Sequence, residues 1–159
     1  MRNLLSLGLA VLVMWMGSGT GSGRDDRFGN QAIRERFIGA WRLAWLEEPG
    51  ADGKIHRADC TGLLVYTRDG HLSVQVMYRN PQAGADAAPA QYAQGGYEAS
   101  FGTYAIDDGS HTFTYHIEGA LVRTLIGQNL TRVYELSGNH LIVKSSDPNE
   151  HWKVAWEHY

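Results

Sequence analysis

Cysteine is almost absent: Cys60 is the single one in 159 residues. No intrachain disulfide can form, and a thiolate metal cluster would need several more such residues. Proline is scarce, with four residues, which excludes a collagen-like or proline-rich extended chain. Basic clusters are missing. Net charge is −3, no block of lysine or arginine occurs and no aromatic RNA-binding motif is present, so a nucleic-acid partner is not expected. The seven histidines show neither His-x-x-x-His spacing nor a His-Cys cluster, so neither a metal nor any other cofactor is expected. There is also no internal repeat and no long helical period.

What remains is globular. The chain has a single-domain length, with 43% hydrophobic and 19% charged residues. Nineteen glycines, eight tyrosines and five tryptophans favour strands joined by tight turns.

The N-terminus has the order of an export signal. Arg2 supplies a positive start, Leu4 to Met16 is an apolar run interrupted by Ser6 and Gly8, and residues 17–23 are small throughout. The run is short for a bilayer span, and no cysteine follows it to take a lipid. The reading is a signal peptide over 1–23, a linker or short helix over 24–35 and one domain over 36–159, with the product periplasmic or secreted and not stably inserted in a membrane. The alternative is an uncleaved anchor. Cleavage near residue 23 removes Arg2 and no acid, moving the net charge from −3 to −4.

Past residue 37 the period is two. Residues 31–37 have room for one or two helical turns, with Ile33 and Phe37 on one face. Strands are expected at 39–48, 62–67, 71–78, 100–106, 111–118, 130–136, 140–145 and 152–158. The Asp69-Gly70 pair marks a hairpin between two of them. The sets Trp41, Leu43 and Trp45, then Leu72, Val74 and Val76, then Phe113, Tyr115 and Ile117, are expected to face a common interior. Residues 79–96 break the pattern and suggest a rim segment or lid. Eight antiparallel strands close into a barrel with room for side chains or one small ligand, and pairing of the tryptophan-bearing first and last strands would complete it.

Several stretches resemble a known family. Gly39-Ala40-Trp41-Arg42-Leu43 resembles the Gly-x-Trp opening of lipocalins. Over roughly residues 36–159 the chain is similar to a bacterial and fungal lipocalin-like domain family. The matching stretches are 39–43, 62–75, 101–104, 116–119, 127–132 and Trp156-Glu157, and the hairpin Tyr66-Thr67-Arg68-Asp69-Gly70 followed by Ser73-Val74-Gln75 is the most specific. The resemblance implies an all-β, eight-stranded antiparallel calycin-type barrel with an internal cavity, here with a short N-terminal helix. It does not imply one activity, since some lipocalin-like proteins of biosynthetic pathways act as cyclases or isomerases. A late basic residue commonly packs over the early tryptophan in lipocalins. This chain ends Trp156-Glu157-His158 where the family often has Trp-Glu-Arg, so that place could fall to Arg132.

The candidate site residues follow from the strands and the resemblance. Trp41 is expected to plug one end of the barrel, with Trp156 also structural. Tyr66, Gln75, Tyr104, Tyr115, Arg132 and Tyr134 are the ligand-binding candidates, their rings holding an apolar body while hydroxyls fix polar groups; each tyrosine has simple packing as its alternative. Arg132 shares a strand face with Leu130, Tyr134 and Leu136, so its guanidinium needs a carboxylate from Glu118, Glu157 or a ligand. His116 and Glu118 share the other face of their strand, the face that usually meets water; turned inward, they would make an acid–base pair. Two functions remain open: an exported barrel that binds a small hydrophobic molecule, and a cyclase, isomerase or hydrolase working in the same cavity. A protein partner in the cell envelope is a third.

Overall fold

The computed structural model describes residues 31–80 and 92–159. The export segment, the first part of the linker and most of the expected rim segment lie outside the described residues. Helix α1 covers residues 31–37. Nine strands follow among the described residues: β1 (Gly39–Pro49), β2 (Ile55–Arg57), β3 (Cys60–Tyr66), β4 (His71–Tyr78), β5 (Tyr97–Asp107), β6 (Thr112–Ala120), β7 (Asn129–Ser137), β8 (His140–Ser145) and β9 (Lys153–His158).

Eight of them form the barrel. The order runs β1-β3-β4-β5-β6-β7-β8-β9, every pair antiparallel, and β9 pairs back onto β1 through Arg42↔Glu157 and Leu43↔Trp156. Closure leaves no long edge for another chain to extend. The ninth strand, β2, was not expected. It is a short exposed ribbon on the far end of β1, with Glu48↔His56 and Pro49↔Ile55 in register.

Hairpin chemistry fixes the register. Between β3 and β4, the Thr67 amide donates to the His71 carbonyl, and Gly70 takes φ +96°, a conformation favourable to glycine alone. The Thr67 hydroxyl donates to the Asp69 carboxylate in the same turn.

One expected face is corrected by a bulge. Trp41 and Leu43 face inward, but the β1–β9 register shifts between Leu43 and Trp45. An extra residue reverses the alternation beyond it. Leu46 and Glu48 therefore enter the interior, 6% and 5% exposed, while Trp45 turns outward beneath the Arg57 guanidinium at 5.3 Å. The other two sets face inward as expected: Leu72, Val74 and Val76 on β4, and Phe113, Tyr115 and Ile117 on β6.

Helix α1 closes one end. Phe37 is fully buried and meets the rings of Tyr66 at 5.1 Å, Tyr134 at 5.0 Å and Phe113 at 6.0 Å, all edge-on. Its carbonyl accepts the Trp41 indole N–H at 2.8 Å. Arg34 and Arg36 reach the carbonyls of Arg68 and Leu136, tying the helix to two hairpins of that end. The opposite end carries the start of β5, the end of β6 and the 3₁₀ turn Arg123–Leu125.

Candidate functional site

The pocket lies above this aromatic plug. Its walls are mainly aliphatic and aromatic, among them Leu46, Leu64, Leu72, Val76, Ile117 and Trp156. The space open to the centre of a water-sized sphere is about 90 Å³, well beyond the ~10–15 Å³ that one water needs. Such a cavity suits a small molecule of largely apolar surface.

Polar groups enter the pocket at chosen points. β5 alternates so that Glu98 and Ser100 face inward, and the Tyr115 hydroxyl of β6 donates to Ser100 Oγ at 2.9 Å. Burial pushes the Tyr115 phenol up to about 12. Glu98 is only part-covered by surface area, yet the pocket walls surround it, and it is this low-polarity setting that acts on its carboxyl. Desolvation raises it to about 7, with the Glu48 charge pushing the same way and Arg132 pulling it back. Glu48, at the rim, accepts the Tyr78 hydroxyl at 2.8 Å and is likewise raised by burial. Beside it the Cys60 thiol is pushed up to about 11, chiefly by burial, and stays protonated at neutral pH.

Arg132 is 8% exposed and enters the pocket from β7. Its guanidinium lies over two rings that meet edge-on, Trp152 at 4.9 Å and Tyr92 at 5.1 Å. Its carboxylate partner is Glu150, at 3.8 Å, rather than the expected Glu118 or Glu157. Glu150 in turn accepts the Tyr92 hydroxyl at 2.8 Å and the Trp152 indole N–H at 3.0 Å. Arg132 is thus held by four residues that sequence patterning did not connect to it: Tyr92, Ser145, Glu150 and Trp152.

The predicted site residues separate into three groups. Tyr66, Tyr115 and Arg132 line the pocket, joined by Trp156, which had been assigned to structure alone. Tyr66 is 1% exposed and its hydroxyl has no hydrogen-bond partner among the described residues. Tyr104 and Tyr134 also point inward, but below the pocket, where their hydroxyls are spent on the Thr67 carbonyl and the Asp108 carboxylate. Gln75 points outward and accepts the Tyr97 hydroxyl at 3.3 Å. His116 and Glu118 point outward too, on the face that usually meets water. Both are exposed on the outer face of β6, and His116 bonds Asn129 at 2.8 Å, so they present no acid–base pair to the pocket. The place over Trp41 belongs to His158, not Arg132: the two rings meet edge-on at 4.6 Å.

Glu98, Ser100 and Glu48 were missed. The alternation that places Tyr104 inward reaches Ser100 and Glu98 once the strand is started at Tyr97. Glu48 needed knowledge of the bulge. No group of three or more His, Cys, Asp or Glu among the described residues has a metal-holding arrangement. No helix among them is long and apolar enough to cross a membrane.

The family model for a lipocalin-like domain matches residues 38–157. No curated protein matches. Among solved structures, a lipocalin-like protein from Bacteroides uniformis is similar, at 16% identity, covering 78% of this chain and 99% of its own, with a TM-score of 0.47. An uncharacterized protein from Bacteroides eggerthii shares 14% identity over 77% of this chain and 99% of its own, TM-score 0.45. A redesigned β-barrel shares 10% over 79% and 94%, TM-score 0.43.

Proposed function

The chain belongs to the lipocalin-like domain family, and from that premise we propose that it is an exported protein that takes one small, largely apolar molecule into the barrel and carries or sequesters it. The observation that carries this reading is the pocket itself, an aliphatic and aromatic cavity closed at one end by Phe37 and Trp41 and set with a few polar groups. Support for export is the charge, apolar run and small residues of positions 1–23.

Native mass spectrometry of the purified protein tests it. The expected result is one small molecule per chain, or uptake of one added apolar probe per chain, with an intact mass placing the N-terminus within or just after residues 17–23. A protein that holds nothing and takes up no apolar probe would contradict the binding reading, and an uncleaved N-terminus in its own cell would contradict export.

A second reading, acid–base chemistry on the bound molecule, is favoured by one observation. The Glu98 carboxyl stands in the pocket at about 7, where a group can both give and take a proton at neutral pH. Its test is conversion of a co-purified molecule by the native protein and loss of that conversion in Glu98→Gln. Return of the molecule unchanged would remove this reading and leave binding in place.

A further inference from the structure

The pocket's polar groups differ in how far they are already used. Tyr115 is spent on Ser100, and Tyr78 on Glu48. Arg132 has Glu150 within 3.8 Å, Ser145 Oγ at 3.4 Å, and the rings of Tyr92 and Trp152 beside it. Glu150 offsets its charge, so an incoming carboxylate would compete with Glu150 for it. Two oxygen-bearing side chains of the pocket have no hydrogen-bond partner among the described residues. One is the Tyr66 hydroxyl, without a partner. It can donate or accept, so it does not discriminate between ligand heads. The other is the Glu98 carboxyl, on which the Arg132 and Glu48 charges act but which no described residue hydrogen-bonds.

Barrel topology sets where a ligand would lie. Counting round the eight strands, β5 stands opposite β9. Glu98 and Ser100 on β5 therefore face Val154 and Trp156 on β9, with Val143 of β8 and Leu46 of β1 beside them. One wall is polar and the facing wall apolar. Along β5, Glu98 lies on the open side. The register Tyr66↔Leu72↔Gly102 puts Tyr66 level with a residue four positions further in, about 13 Å at ~3.3 Å per residue. A ligand head at Glu98 would have its tail directed toward the aromatic plug.

Resting on the binding reading above, we propose that the ligand's head is a hydrogen-bond donor, cationic or neutral, that seats on the Glu98 carboxyl, and that carboxylate-headed molecules are rejected. The charge balance gives the direction. Arg132 and Glu150 offset each other, leaving Glu98 as the ionisable acid of the wall, with Glu48 a second acid at the rim. An ammonium head supplies the charge and the donors that Glu98 lacks. A hydroxyl head supplies a donor alone. A carboxylate head adds a further acid beside these two and leaves the Glu98 carboxyl without a donor.

Three probes with one tail test this: octylamine, 1-octanol and octanoate, each displacing N-phenyl-1-naphthylamine from the full mature protein. At about pH 7.5 the amine is protonated and the acid ionised. Octylamine should bind about ten-fold or more tightly than octanoate, as expected for a hydrogen bond to a charged group, with 1-octanol between them. Glu98→Gln should bring amine and carboxylate within about three-fold of each other while 1-octanol binding changes little. Glu98→Asp, which keeps the charge, should preserve the order. Octanoate binding as tightly as octylamine, a gap that survives Glu98→Gln, or loss of all three probes in that variant would overturn the inference. Failure of every probe, 1-octanol included, on the unsubstituted protein would overturn the binding reading itself.

Discussion

The His158 imidazole stands edge-on to the Trp41 indole, 4.6 Å between ring centres and 82° between planes, and its Nε2 lies 3.2 Å from the Ile38 carbonyl. The contact joins the last strand to the first at the closed end. Below the indole, the Phe37 carbonyl takes the Trp41 N–H. Trp41→Ala should cost about 3–5 kcal/mol, the range for removing a large buried aromatic side chain. Trp41→Phe keeps a ring but leaves the Phe37 carbonyl without its donor, so it should lose at least the ~1 kcal/mol of that bond. Urea unfolding of both variants checks the order.

Arg132 is a brace in this structure. Arg132→Ala removes the cation over Tyr92 and Trp152 and leaves Glu150 without it. Stability should fall by roughly 3 kcal/mol, the scale for breaking a largely buried pair. Affinities for octanoate and 1-octanol should both fall. A loss confined to octanoate, with unfolding unchanged, would instead make Arg132 a carboxylate receptor.

Glu98 gives the stability a pH dependence. Its carboxyl goes from an ordinary 4.5 to about 7 in the folded chain. Below about pH 4.5 it is protonated in both states and costs nothing. Between about 4.5 and 7 the unfolded chain releases a proton that the folded chain holds, so stability falls as pH rises, by up to about 3 kcal/mol. Glu48 is raised as well and acts in the same direction. Glu98→Gln should therefore gain stability over the parent as pH rises through this window. Parallel unfolding curves at acidic and neutral pH would show that Glu98 is solvated.

The β5–β6 pairing carries its own bulge, between Phe101 and Gly102. A Cβ on Gly102 would lie 1.9 Å from the His116 carbonyl oxygen and 2.9 Å from the Glu118 amide nitrogen. Both are backbone atoms and cannot swing aside. Gly102→Ala should cost about 3 kcal/mol or more. His116→Ala, a few atoms away but on the outer face, should change stability by less than about 0.5 kcal/mol and leave probe binding unaltered. Denaturant titration of the pair separates backbone crowding from an exposed side chain.

Alternation made the barrel legible, because in each strand one face is apolar and period two has no competing helical reading. It assigned Phe113, Tyr115 and Ile117 to the inside, where they lie. What it cannot carry is a shift of phase or a depth. The bulge in β1 moved Trp45 out and Glu48 in, and nothing in Ala44 or its neighbours announces the extra residue. Tyr104 and Tyr134 have the inward parity of Tyr115 yet sit below the cavity, since parity gives a face and not a height along the barrel. Gln75 follows Val74 on the opposite parity, so its own strand argued against the place in the pocket that it was given. Arg132 was legible as a cation on an inner face. Its partner Glu150 was not, because Glu150 lies outside the strands, where no period applies.

The binding account rests on the space above Phe37, and one titration addresses it most directly. N-phenyl-1-naphthylamine, an uncharged apolar fluorophore, should bind one per chain with a blue shift and a marked gain in emission. Val76→Phe, which extends a ring into the pocket from β4, should abolish that signal while the protein still unfolds cooperatively, and His116→Ala should leave it intact. No binding by the parent protein, or binding that Val76→Phe does not disturb, would contradict a ligand held inside the barrel.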